Sequence, residues 1–369
     1  AAAPAAAGTG PGPVARGWRS FGAEEAAGDP DSTVSGALEE DGCCVVVGAV
    51  PRDQCAVLAE YVDAALAVAE RGIAAAPEER DAEALELALF GNVRCRKHRF
   101  DFKLPLSREV CDAMLSLVGV IGGALENQVS AQGRLAELSC LVSDPGAERQ
   151  QLHWDTPIAG NACAALLTTF VALQDISESM GPTVLCLGTH HAPAAHAELE
   201  SVPMQARASD ATLARFGAAA GTCEAGTVLL MDSRLLHCGG ANLPLLHGGM
   251  RRRLLYATWQ MPGNAPAGST YSIRSELQGQ LRVEDFRPLG GAGDAVGCQD
   301  SRSAKLLQCA VACGDGDAMT RMGAQSGHHA QLGRRACPGH ERATPVATSR
   351  WWPREGGRRR LTSRGGRNK

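Results

Sequence analysis

The sequence predicts an α+β chain with a jelly-roll core and helices flanking it on the N-terminal side. Two observations point there. Apolar residues recur at helical spacing before about residue 125, and short apolar or alternating runs take over after it. Gly, Pro, Asp and Asn clusters separate those regularly spaced runs. Helices first and strands afterwards is the pattern of a sandwich or closed sheet, not of βαβ units.

Taken in order, residues 1–36 are rich in Ala, Gly and Pro without a hydrophobic period, and read as a flexible lead-in. Structure is expected from residue 37, where "LEEDGCCVVVG" sets a helix end against a short apolar strand. Asp53 is placed to cap a helix with Val57, Leu58, Tyr61, Val62, Ala65 and Leu66 on one face. Further helical runs cover 77–89 and 107–125, and strands are expected at 135–142, 164–173, 183–187, 227–231 and 252–261. Beyond 290 the periodicity dissolves. Residues 291–369 hold many Arg, Gly and Ser and few aliphatics, so they read as a disordered basic tail after a domain at 37–290.

The 369 residues are 44% hydrophobic with a formal net charge of −4, enough to bury a sizeable core and implying neither a nucleic-acid nor a membrane partner. No run approaches the roughly 20 apolar residues that span a bilayer, and the opening tract lacks the apolar stretch of a secretory signal. The 14 cysteines sit in apolar contexts without framework spacing. Buried free thiols are the simplest reading, and a reducing compartment such as the cytoplasm or an organelle follows from it.

Chemistry concentrates in "QQLHWDT" and "LLMDSRLLHCGGAN". In a strand, residues i and i+2 share a face, so His153 and Asp155 can reach one ion. His237, just after the apolar run Val228 to Met231, is the candidate third ligand. Two histidines and one carboxylate, with open positions opposite, form the facial triad of non-haem Fe(II) oxygenases. One carboxylate leaves ferrous iron a single positive charge, which an anionic 2-oxo acid can neutralise while dioxygen takes a remaining position. An isolated His-x-Asp is equally a surface pair. What lifts this one is the arginine run 251–253 opening the next strand, because an arginine fork can take the far carboxylate of 2-oxoglutarate, and buried charges need partners.

These segments resemble the phytanoyl-CoA dioxygenase family over roughly residues 37–290: "LEEDGCCVVVG", "QQLHWDT", "DISESMGPTVLCLGTHH", "AGTVLLMDSRLLHCGGAN" and "RRRLLYATW". Gly181, Pro182 and Thr183, then Gly188, Thr189 and His190, stand where such proteins carry a Gly-Pro-Thr run and a small turn. The resemblance implies a double-stranded β-helix of cupin-like type. It also implies Fe(2+) held by His153, Asp155 and His237, and hydroxylation of a small-molecule or acyl substrate by O2 as 2-oxoglutarate is decarboxylated to succinate. Asp155 occupies the position that related halogenases leave to a small residue, which favours hydroxylation. The family's strand has an apolar residue three after the cosubstrate arginine and an aromatic seven after it. Arg252, with Leu255 and Trp259, fits that pattern. The loop "LPLLHGGM" is longer than usual, so the register among Arg251, Arg252 and Arg253 stays open, with Arg251 second.

The cluster Arg96, Lys97, Arg99 and Lys103 reads as a solvated basic face, or alternatively as a patch that draws in an anionic substrate. His190 and His191 lie in a turn and are expected to serve structural hydrogen bonds. Cys309, Cys313, Cys337 and His340 match no zinc spacing. Two rivals to an enzyme remain: a catalytically inactive jelly-roll metal- or ligand-binding protein, favoured by a missing or outward-pointing arginine, and a structural zinc protein using the same triad.

Overall fold

A computed structural model describes residues 17–91, 98–158, 166–263, 271–287, 305–306 and 308–309. All belong to a compact unit spanning 1–333. The expected division of labour holds. Helices α1 (Ala23–Gly28), α2 (Gly36–Asp41), α3 (Arg52–Ala74), α4 (Glu79–Leu89) and α5 (Arg108–Val129) come first, with strands β1 (Ser20–Gly22), β2 (Cys43–Val47) and β3 (Arg99–Lys103) among them. The strands that follow are β4 (Arg134–Ser143), β5 (Leu166–Ala172), β6 (Thr183–Cys186), β7 (Ala219–Ala220), β8 (Val228–Asp232), β9 (Leu236–Gly239) and β10 (Arg252–Gln260). Short helices α6 (Pro193–Ser201) and α7 (Asp210–Arg215) lie between β6 and β7.

Seven strands form one sheet in the order β1-β2-β8-β5-β10-β4-β3, antiparallel except for the β1–β2 pair, and β7-β6-β9 form a second. Period-2 alternation sorts each strand between two layers. Cys44 and Val46, Leu167 and Val171, Val228 and Leu230, and Leu255 and Ala257 face the helices and join the main core. The intervening Cys43, Val45, Leu229 and Met231 face the other way and pack with Leu185 of β6. The far side of the small sheet, Val184 and Cys186 with Leu236 and Cys238, packs on Leu199 of α6. The result is a sheet-on-sheet jelly roll with helices over the outside of the large sheet. Strands β2 and β8 are mainly apolar on both faces because both faces are covered.

Three local expectations need correction. Residues 17–36 are not a flexible lead-in: β1 pairs with β2 through Ser20–Val45, Trp18 joins the inner-face cluster, and Ala26 and Val34 are fully buried in the main core. The apolar residues that dock this segment are too few and too widely spaced to show a period. Residues 1–16 lie outside the described residues. At the other end the core does not stop at 290, since Leu306 and Cys309 pack against it and Lys305 pairs with Asp285 at 2.5 Å. The rest of the expected tail lies outside the described residues. Lastly, Asp53 sits inside the first turn of α3, whose N-cap is Pro51. Ser107 does cap α5, accepting from the Val110 amide. No described helix is long and apolar enough to cross a membrane.

Candidate metal and cosubstrate site

The backbone that carries His153 is held as a further edge on the small sheet. The Gln150 amide donates to the Gly239 carbonyl, and the backbones of His153 and His237 exchange both bonds of an antiparallel bridge at 3.0 and 2.8 Å. At Asp155 and Thr156 the chain bends and both amides donate to Ser233. The "HWD" segment is therefore a bridge and a bend, not the regular strand that i, i+2 reasoning assumed. The bend still turns the carboxylate to the two imidazoles. Trp154, between the ligands, points elsewhere and stacks on His196 of α6, with ring centroids 4.5 Å apart.

The three side chains converge. Asp155 Oδ1 lies 3.8 Å from His153 Nε2, and Oδ2 lies 3.6 Å from His237 Nε2. Each ring turns its Nδ1 to a backbone carbonyl two residues earlier, Gln151 at 2.8 Å and Leu235 at 2.9 Å. A carbonyl only accepts, so Nδ1 carries the hydrogen and both Nε2 lone pairs face the carboxylate. This is how metal-binding histidines are oriented. All the ligand atoms lie within 4.8 Å of one another, and among the described residues no other His/Cys/Asp/Glu group meets that condition. The donor set fits a divalent ion with borderline tastes such as ferrous iron.

Strand β10 separates its three arginines. Arg251 and Arg253 share the helix-facing side: Arg251 pairs with Asp144 at 2.5 Å and Asp63 at 3.2 Å, and Arg253 pairs with Asp63 of α3. Arg252 faces the inside and is 1% exposed. Its Nη1 donates to the Gly181 carbonyl, and its Nε has no partner. Burial, and then the like charge of Arg99, pushes the guanidinium down to about 9, so it is still protonated at neutral pH. Register sets Arg99, Ser143 and Arg252 in one row across β3, β4 and β10. The Ser143 hydroxyl is also buried without a partner. The unpartnered Arg252 Nε and Ser143 hydroxyl thus stand on one inner wall, where an anion could take both.

The glycines of the two sequence motifs make room for this row. Gly181 has φ +67°, and a Cβ there would meet the Ala241 and Gly240 backbone at 2.6 Å. At Gly239 a Cβ would meet Arg99 Nη1 at 2.6 Å. Arg99 reaches across to donate to the carbonyls of Glu148 and Gly240 at 3.0 and 3.1 Å. It is 3% exposed, so the solvated-face reading fails for this residue. Arg96 and Lys97 lie outside the described residues. Asn242 ties the row to the long loop, donating to the carbonyls of Ser143 and Met250.

From Arg252 the inner wall continues along β10 through Leu254, Tyr256 and Thr258. The Tyr256 hydroxyl donates to Asp101 at 2.8 Å, and Ser272 gives its hydroxyl to Asp101 and its amide to Glu137. Burial first, then the charges of Asp101 and Asp155, pushes the Glu137 carboxyl up to about 8. His190 is buried and turns Nε2 to the Glu39 carbonyl, the structural role expected of it.

The phytanoyl-CoA dioxygenase (PhyH) family profile matches residues 38–244, more than half of the chain. The chain belongs to that family. It is thus an iron- and 2-oxoglutarate-dependent dioxygenase, a double-stranded β-helix with helices flanking the barrel. No curated protein sequence matches it. Among solved structures, it is similar to EctD from S. alaskensis with 2-oxoglutarate and 5-hydroxyectoine, at 16% identity and TM-score 0.42 over 69% of this chain and 84% of that one. It is also similar to HygX from Streptomyces hygroscopicus with nickel and 2-oxoglutarate, at 15% identity and TM-score 0.41 over 61% and 85%. Likeness at this level assigns neither substrate nor residue roles to this dioxygenase.

Sequence reasoning placed Arg99 only in a basic cluster, without its inner face, and missed Ser143 and the Trp154–His196 stack. Only the alternation of charge with Phe100 and Phe102 could have flagged Arg99 as a strand residue with an inner face.

Proposed function

We propose that this dioxygenase hydroxylates a small organic substrate at iron held by His153, Asp155 and His237, with Arg252 taking the far carboxylate of 2-oxoglutarate. The observation that carries the reading is the buried Arg252 fork, which has no carboxylate partner among the described residues and shares an inner wall with the idle Ser143 hydroxyl. A buried cation without a counter-ion is costly. A dicarboxylate that reaches it while its 2-oxo acid end lies at the metal removes that cost at the moment of binding.

Charge supports the same assignment. A ferrous ion with one carboxylate keeps a single positive charge, Arg252 adds another, and 2-oxoglutarate is a dianion. Ferrous iron, when bound, supplies the redox chemistry by which dioxygen is shared between two organic partners. One oxygen atom enters a substrate C–H bond as hydroxyl; the other enters succinate as carbon dioxide leaves. Within the chain, the carbonyls of Gln151 and Leu235 hold the imidazoles in the ligating tautomer, and the Ser233 carbonyl fixes the bend that presents Asp155. Arg252 and Ser143 orient the cosubstrate. Tyr256, Asp101 and Glu137 give the inner wall a polar stretch able to bind a hydroxyl or amine, which speaks against an exclusively anionic substrate.

The inactive-binder reading would gain from an arginine turned outward, and Arg252 turns inward. The test is to load the protein anaerobically with ferrous iron and 2-oxoglutarate, admit air with fractionated metabolite extracts, and measure succinate. Succinate release that one fraction stimulates, and that Arg252→Ala loses, is the expected result. Iron retained with no succinate under any condition refutes turnover, and zinc retained in preference to iron points to the structural-metal rival.

A further inference from the structure

We propose that the small apolar cavity between the two sheets is a holding site for dioxygen on its way to the metal. The cavity is about 30 Å³. Its walls come from five strands, Val45 of β2, Leu229 of β8, Phe170 and Ala172 of β5, and Leu254 of β10 on the large sheet and Thr183 of β6 on the small one, with Trp18 across them. A cavity that takes up benzene measures about 150 Å³ and a single water needs about 10–15 Å³, so this space has room for roughly two water-sized molecules and is far too small for 2-oxoglutarate or an organic substrate. Cavities with mainly carbon walls tend to stay dry and take up small apolar ligands. The Cys223 thiol that also lines the space is pushed up to about 12 by burial, so it is neutral and adds no charge.

Location supplies the second argument. Leu254 is two residues from Arg252 on the same face of β10. Trp18, Val45 and Leu229 share one packed cluster with Leu185, and Leu185 is the register partner of His237. Continuous apolar packing therefore runs from the cavity to the strand that presents a candidate metal ligand. Of the reactants a 2-oxoglutarate-dependent dioxygenase consumes, only dioxygen is small and apolar enough to partition into such a space.

The assignment of the gas rests on the oxygenase reading, whereas occupancy of the cavity does not, and the two are tested separately. Xenon is the probe. Crystals of the metal-loaded protein under xenon pressure should show the atom among Phe170, Ala172 and Leu254. Ala172→Val, which adds carbon to the cavity on a strand that favours β-branched residues, should remove it. In oxygen-titrated succinate assays the same variant should need several-fold more oxygen for half-maximal rate, with iron and 2-oxoglutarate binding unchanged. Leu229→Phe, which fills the space from another strand, should reproduce the effect if Ala172→Val folds poorly. No xenon in the cavity, ordered water there that xenon does not displace, or an unchanged oxygen requirement in a filled variant overturns the proposal. Xenon bound in a protein that releases no succinate overturns the oxygenase reading and, with it, the identity of the gas.

Discussion

Replacing Arg252 with methionine separates two consequences that most active-site substitutions confound. The side chain is fully buried, and its charge meets the Gly181 carbonyl and a like charge but no carboxylate among the described residues. A neutral, similarly long side chain should therefore make the cosubstrate-free protein more stable, by about 1–4 kcal/mol on the precedent of buried ion groups replaced by apolar ones. For a domain of this size that is roughly 2–4 °C of melting temperature per kcal/mol. The same change deletes a charge-assisted contact to the far carboxylate, which costs about 2–5 kcal/mol when buried. Affinity for 2-oxoglutarate should fall roughly thirty-fold to a few thousand-fold. Melting curves with and without 2-oxoglutarate measure both effects in one experiment: wild type should gain stability on adding it, and Arg252→Met should start higher and gain little. Arg251→Ala and Arg253→Ala should do the reverse, keeping cosubstrate affinity while losing about 0.2–1 kcal/mol each from partly exposed pairs with Asp63 and Asp144. A lower melting temperature in Arg252→Met with unchanged 2-oxoglutarate affinity would mean that Arg252 is a structural residue and not the cosubstrate's partner.

Three further outcomes are expected. Asp155→Ala should abolish iron retention and succinate release with the melting curve nearly intact, because Asp155 is an exposed residue outside the core; near-normal activity would remove the triad assignment. Deleting residues 1–36 should destroy the cooperative melt, and cutting after residue 290 should lower it, since Trp18, Ala26 and Val34 at one end and Leu306 and Cys309 at the other pack on the core. Equal melts in either truncated form would restore the narrower boundaries. Glu137 has its carboxyl raised from 4.5 to about 8 in the fold, so the native state holds its proton longer than the unfolded chain. Its contribution is full below 4.5 and is lost as pH rises to about 8, so the metal-free protein should melt lower at pH 8 than at pH 5. Glu137→Gln should flatten that slope, and an unchanged slope would show that Glu137 does not titrate there.

The convergence of His153, Asp155 and His237 could be anticipated because its signal is local: two candidate ligands two positions apart, and a third beside an apolar strand and two glycines. Arg252 was singled out by the resemblance, whose strand pattern it fits with Leu255 and Trp259, and the structure turns it inward and away from the side of Arg251 and Arg253. Arg99 and Ser143 were not legible, because the row they form with Arg252 exists only through the pairing of β3, β4 and β10. β3 itself was read as a basic cluster, since its charges hide the alternation with Phe100 and Phe102. The first structured segment was misread for a related reason. Its anchoring residues, Trp18, Ala26 and Val34, are isolated in an Ala- and Gly-rich stretch and acquire meaning only against α5 and the inner sheet.

In the proposed site His153, Asp155 and His237 hold the metal from the small-sheet side while Arg252 holds the cosubstrate from the inner face of the large sheet. Anomalous diffraction at the iron edge, from crystals grown anaerobically with ferrous iron and 2-oxoglutarate, tests both halves at once. One iron peak bounded by the two Nε2 atoms and the Asp155 carboxylate, and a bound dicarboxylate whose far end lies on Arg252, are expected. Iron at any other position, or a cosubstrate carboxylate bound away from Arg252, would contradict this assignment.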